Sequence, residues 1–150
     1  MRDYLDACLF LAVVFEERDA RRCKTFLNTV GYKTHPSGVI SHVAISELFV
    51  KLLKMEDGLL QESCVCFATR LLTRLLRERR ATVEPHVSDH HLFEALKAED
   101  YSVSDDDLCN LVAAVRTGCD RFVTLDKQLL GAQHLKAFLK REHGLKIVEP

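Results

Sequence analysis

Short runs of apolar, β-branched residues alternate along the chain with longer stretches in which apolar residues return every three or four positions. The first pattern predicts strands and the second amphipathic helices. Tyr4 and Leu5 form a short apolar start that ends at Asp6 and predicts a first strand. Cys8 to Phe15 and Arg18 to Val30 follow with helical spacing, Gly31 stops the second helix, and Pro36-Ser37-Gly38 marks a turn. Val39 to Ile45 is short and β-branched and predicts a second strand, followed by a helix from Ser46 to Met55 that Asp57-Gly58 ends. Gln61 to Arg80 is the longest helical pattern, with Val65, Ala68, Leu72, Leu75 and Leu76 on one face. Ala81 to Val87 predicts a strand that Pro85 places at a sheet edge or strand end. Ser88 predicts the cap of a helix over His91 to Glu99. Ser104 predicts the start of another helix, in which Asp105, Asp106 and Asp107 suit the positive end of the helix dipole and Gly118 is the stop. Phe122-Val123-Thr124 predicts a strand leading to Asp126. Lys127 to His143 predicts one helix, Gly144 its C-cap, and Leu145 to Val148 the last strand.

Strands separated by helical segments predict an α/β fold with a central, mostly parallel sheet. No repeat, low-complexity run or Pro/Gly-rich linker divides the 150 residues, which predicts one domain over 1–150. Composition narrows the class further: 47% hydrophobic against 29% charged residues excludes intrinsic disorder. The apolar run Cys8 to Phe15 is far short of the ~20 residues of a membrane helix. Acids at positions 3 and 6, with no small-residue cleavage site after them, do not read as a secretory leader. The expected location is the cytoplasm, where the six cysteines are expected to be reduced thiols. None forms a C-x-x-C pair, and Cys64-Val65-Cys66, His86, His90 and His91 do not have the spacing of a zinc site.

In a parallel α/β sheet the chemistry lies outside the carboxyl ends of the strands. Asp6 follows the first predicted strand and Glu47 the second; Asp107 opens the helix before the next strand, and Asp126 follows that strand. Singly, each is an ordinary helix cap or solvated acid. Together they are a set of candidate ligands with oxygen donors alone, which suits a hard ion such as Mg²⁺ or Mn²⁺. Two carboxylates ~4 Å apart repel by about 4 kcal/mol at an effective dielectric of 20, so a cation or a raised pKa must relieve them.

The segment from Asp107 to Asp126 (DLCNLVAAVRTGCDRFVTLD) has an acid opening an alanine-rich helix, a Gly closing it, and a strand ending in Thr-x-Asp. In this order it resembles the late motif of PIN domains. Asp6 with its following apolar helix resembles that family's opening motif, and Ile45-Ser46-Glu47-Leu48 its second. The resemblance spans almost the whole chain and is nearest to VapC-type toxin ribonucleases and their archaeal relatives. It implies a three-layer α/β/α sandwich and a Mg²⁺- or Mn²⁺-dependent endoribonuclease. Asp6, Glu47, Asp107 and Asp126 would be the catalytic, metal-binding carboxylates and Thr124 an accessory polar group. It also implies a homodimer and a small antitoxin protein as partner. Cys8 stands where the family usually has Ser, Thr or Asn, a weaker hydrogen-bond donor beside Asp6. In the run Asp105-Asp106-Asp107 the distance to Gly118 selects Asp107, with Asp106 the alternative register. Two further readings stay open: a catalytically silent PIN-like module that binds RNA or protein, and a housekeeping nuclease of RNA maturation.

Twenty-one basic against 22 acidic residues give a net charge of −1, which argues against an avid nucleic-acid binder. Setting four carboxylates aside in a metal pocket leaves the remaining chain basic. Modest, salt-sensitive, metal-dependent affinity for RNA is therefore the expectation. Arg70, Arg74 and Arg77 recur at helical spacing and are the candidate phosphate contacts, although the solvated face of an amphipathic helix is the simpler account. Only 7% of residues are aromatic, so base stacking is not the expected grip. His42 and His86 fall near predicted strands, where a structural or surface role is the simpler account.

Overall fold

The computed structural model describes all of the chain except residues 86 and 87. Five strands form one sheet in the order β3-β2-β1-β4-β5, and every described pairing is parallel. The strands are β1 (Arg2–Leu5), β2 (Ser37–Ser41), β3 (Ala81–Glu84), β4 (Arg121–Val123) and β5 (Lys146–Val148). Helices α1 (Ala7–Val14) and α2 (Ala20–Thr29) connect β1 to β2, and α3 (His42–Leu53) and α4 (Gly58–Arg77) connect β2 to β3. Helices α5 (His90–Glu99) and α6 (Asp105–Arg116) return the chain to β4, and α7 (Lys127–Gly131) and α8 (Gln133–His143) lead to β5.

Right-handed crossovers put α1–α4 on one face and α5–α8 on the other, because the strand order reverses direction after β3. The result is the expected three-layer α/β/α sandwich. Its core is continuous through both layers, with Tyr4, Leu5, Phe10, Ile40, Leu48, Leu75, Leu108 and Phe122 fully buried. Tyr4 and Phe122 stack across the β1–β4 pair at 4.9 Å between ring centroids. β1 leaves the sheet toward one layer and its neighbour β4 toward the other, so a crevice opens between their carboxyl ends.

Several element boundaries depart from the sequence pattern. β2 is Ser37–Ser41, not 39–45: the Ser41 Oγ accepts the Ala44 N–H at 3.1 Å, and this cap turns His42 to Ile45 into the first turn of α3. β3 ends at Glu84, and the remainder of the strand expected to Val87 reaches outside the described residues, as does His86. Asp89 rather than Ser88 caps α5, accepting the Leu92 N–H at 3.0 Å. The long helix starts at Gly58, where Asp57 accepts the Leu60 N–H, and ends at Arg77. Arg80 lies beyond it, buried, with its guanidinium donating to the Leu27 and Val30 carbonyls at the end of α2. The helix expected over 127–143 is two helices broken at Ala132, whose ψ of 77° leaves the helical region while its side chain packs into the core. Gly144 has the left-handed φ of 70° that its C-cap position requires.

Candidate active site

Asp6, Glu47, Asp107 and Asp126 line a single cleft of about 360 Å³ at the carboxyl edge of the sheet, together with Cys8 and Lys51. Each carboxylate comes from a different element. Asp6 is the residue at which β1 turns into α1, and Asp126 caps α7 just after β4. Glu47 lies in α3 and Asp107 in the first turn of α6, two helices from opposite layers that pack together at this edge. Asp107 faces the cleft, Asp106 lines only the adjoining cavity, and Asp105 pairs with Lys97 at 2.7 Å. Asp3 points into the sheet, where Arg121 holds it through two bonds of 2.7 and 2.6 Å. His42 is an exposed residue at the start of α3 and does not line the cleft.

Local bonds orient every one of the four acids. The Thr124 Oγ1 donates to the Asp6 Oδ2 at 2.5 Å, and the Cys8 Sγ donates to the same oxygen at 3.0 Å. Cys8 is itself fixed by the Leu125 N–H at 3.1 Å. A thiol in place of a hydroxyl at position 8 therefore leaves Asp6 with a hydroxyl donor, because Thr124 supplies one from across the β1–β4 crevice. Ser104, the cap of α6, donates to the Asp107 Oδ2 at 2.5 Å. Asp126 Oδ1 accepts the Gln128 and Leu129 N–H groups, and Lys51 Nζ lies 2.6 Å from Glu47 Oε1. Among the described residues, Asp6 Oδ1, Asp107 Oδ1 and Asp126 Oδ2 accept no hydrogen bond.

The charge in the cleft is not relieved by these bonds. Burial pushes the Asp6 carboxyl from 3.8 up to about 6; the Thr124 and Cys8 bonds oppose the rise, and the Glu47 and Asp107 carboxylates add to it. Burial also raises Asp107, with Ser104 opposing it and Asp126 and Glu47 reinforcing it. Burial and the Asp6 charge hold the Cys8 thiol in its protonated, donating form. A cluster that keeps a buried acid half-neutral near pH 6 is one that a cation would stabilise.

Its donors are carboxylate oxygens, which fit a hard divalent ion. No three His, Cys, Asp or Glu side chains among the described residues are drawn closely enough to share an ion directly.

A buried relay that sequence reasoning missed reaches Glu47 from behind. The Ala44 N–H donates to Ser41 Oγ, which lies 2.5 Å from the Tyr4 hydroxyl, and Tyr4 donates to Asn110 Oδ1 at 2.6 Å. With its oxygen so committed, Asn110 turns its amide nitrogen toward Glu47 Oε2 at 3.5 Å. The signal was present in the sequence: Asn110 is the one amide in the apolar stretch Leu108–Ala114, and a buried amide requires partners. Lys51 was legible too, as the fourth residue after Glu47 on one helix.

Arg70, Arg74 and Arg77 line a separate groove along α4 with Thr69, Thr73 and Glu78, and none of them lines the cleft. Arg74 pairs with Glu78 at 3.2 Å.

The PIN domain family model matches residues 4–135. The chain belongs to the PIN domain family. Solved structures with the same fold include VapBC2 from Rickettsia felis bound to a DNA fragment from their promoter. That match has 14% identity, a TM-score of 0.63, and covers 99% of this chain and 98% of that one. FitAB bound to the IR36 DNA fragment matches at 11% identity and a TM-score of 0.63, covering 100% of this chain and 95% of that one. FitAcB from Neisseria gonorrhoeae matches at 11% identity and a TM-score of 0.59, covering 98% and 96%. No curated protein matches this PIN domain by sequence. Among the described residues, no helix of this PIN domain is long and apolar enough to cross a membrane.

Proposed function

We propose that this PIN domain is a divalent-metal-dependent endoribonuclease that hydrolyses RNA phosphodiester bonds, and that it acts in the cytoplasm as the toxin of a toxin–antitoxin pair. The observation that carries the reading is the cleft itself: Asp6, Glu47, Asp107 and Asp126 line it from four elements at the crevice between β1 and β4, the exposed Glu17 lines it too, and Asp6 is pushed up to about 6 by burial and by its acidic neighbours. Asp6, Glu47, Asp107 and Asp126 are the residues that would hold Mg²⁺ or Mn²⁺, in part through the ion's own water. The bound ion supplies Lewis-acid stabilisation of charge on the phosphodiester and on the attacking water.

The chain's own residues do the positioning. Thr124 and Cys8 hold one oxygen of Asp6 and leave the other toward the cleft. Ser104 does the same for Asp107, and the α7 N–H groups for Asp126. Asn110 and Lys51 set the two oxygens of Glu47. Arg70, Arg74 and Arg77 are the proposed contacts to RNA phosphates outside the cleft. The likeness in fold to VapBC2 and FitAB, each a pair of named components, supports a small antitoxin protein as partner, and the proposed assembly of this chain is a homodimer.

The test is cleavage of a single-stranded RNA by the purified chain in Mn²⁺ or Mg²⁺ and in chelator. Cleavage is expected with either ion and none in chelator. Asp6→Asn and Asp107→Asn are each expected to lower the rate at least about 100-fold. The rival reading, a catalytically silent module, has Cys8 as its basis. RNA retained without cleavage across several metals would establish it.

A further inference from the structure

Among the described residues that line the cleft of Asp6, Glu47, Asp107 and Asp126, one is basic: Lys51. It lies one turn beyond Glu47 on α3, places Nζ 2.6 Å from Glu47 Oε1, and lines both the cleft and the adjoining cavity that Asp107 and Asp126 share. Its influence extends past its partner. The same head group thus stands beside the carboxylates of Asp6, Asp107 and Asp126 as well as that of Glu47.

An i,i+4 Glu–Lys pair is ordinarily a solvated ornament of a helix surface. Arg74–Glu78 is such a pair here, with the Arg74 side chain 53% exposed and its groove lined by a single acid, Glu78. Lys51 differs because its head group stands among acids drawn from α3, α6 and the ends of β1 and β4, where an unbalanced negative charge has accumulated.

We propose that Lys51 is the resident counter-cation of the cleft, which holds Glu47 in the ion-free protein and competes with a divalent ion for it. The inference rests on the reading of the cleft as a divalent-ion site. Two opposed consequences follow from one charge. Lys51 stabilises the ion-free protein by neutralising its acids, and it weakens ion binding, because Glu47 must be released and the ammonium must remain near a second cation. Removing the charge therefore reverses both effects, whereas loss of a surface helix pair lowers stability equally with and without the ion.

The experiment titrates the purified full chain with Mn²⁺ by calorimetry and compares thermal unfolding in Mn²⁺ and in chelator. Lys51→Met and Lys51→Gln are expected to bind Mn²⁺ about fivefold more tightly than the unaltered chain. Both are also expected to melt lower in chelator and to show a larger Mn²⁺-induced rise in Tm. Lys51→Arg, which keeps the charge, is expected to return the affinity to the starting value. Lys54→Met, in the adjoining cavity and without an ion pair to these carboxylates among the described residues, is expected to stay within about twofold. Equal or weaker Mn²⁺ binding by Lys51→Met, or an equal loss of Tm in both conditions, overturns the proposal alone. An unaltered chain whose Mn²⁺ titration is indistinguishable from that of Asp107→Asn overturns the reading of the cleft and this inference with it.

Discussion

At the scale of single residues, Asp6 carries the clearest physical signature. Burial pushes its carboxyl from the ordinary 3.8 up to about 6 in the fold. The folded chain thus holds that proton more tightly than the unfolded chain does. The stability this contributes is fully present below pH 4 and is lost as pH rises through 6. In chelator, Asp6→Asn, which cannot ionise, is expected to gain on the unaltered chain by about 2 kcal/mol between pH 4 and pH 7.5. Thermal unfolding at both pH values checks this, and a difference that does not change with pH would refute it. Asn110 makes a second prediction at this scale. Asn110→Leu removes the acceptor of the buried Tyr4 hydroxyl and the amide that faces Glu47. An unsatisfied buried hydroxyl costs about 1–3 kcal/mol. Divalent-ion affinity is expected to fall at least about tenfold, as for other groups that orient a ligand. Tyr4→Phe, a milder change that leaves the Asn110 oxygen only the longer Ser41 bond of 3.3 Å, is expected to reproduce part of the loss in a calorimetric titration.

At the scale of elements, the helices and strands were largely legible because caps, glycines and apolar spacing act within a few residues of chain. Ser104 and Gly144 bound helices where the pattern placed them. The exceptions have physical causes. Val39, Ile40, Val43 and Ile45 are β-branched, yet the Ser41 cap overrides propensity and starts α3, which is what brings Glu47 onto the second turn of a helix above the cleft. Lys127 to His143 has unbroken helical spacing, and packing of Ala132 into the core breaks it. Close strand packing makes a prediction as well. A Cβ on Gly38 would stand 2.8 Å from Leu5 Cδ1 and 3.0 Å from the Cβ of Ala81, between adjacent strands that cannot both move aside. Gly38→Ala is expected to destabilise the chain by about 1–3 kcal/mol, read as a fall in the midpoint of urea unfolding.

At the scale of the whole molecule, charge is segregated rather than balanced everywhere. The cleft is acidic, whereas Arg70, Arg74 and Arg77 line a groove elsewhere along α4. If these arginines track phosphates, replacing all three by Gln is expected to raise KM for RNA with kcat little changed. It is also expected to reduce the salt slope of binding to single strands by up to about 2. An unchanged slope would assign them to a solvated helix face.

The sequence by itself determined the α/β class and most helix ends, because caps, glycines and apolar spacing are read locally, and it offered the four acids as candidates. Only the tertiary structure decided that these acids share a cleft. That depends on the strand order, which seats β1 between β2 and β4 and reverses the crossovers there. The same long-range pairing decided that Thr124, 118 residues away in the chain, supplies the hydroxyl that Asp6 lacks at position 8, and that Asn110 turns toward Glu47. No local propensity encodes such contacts, because they exist only once the two layers close over one sheet.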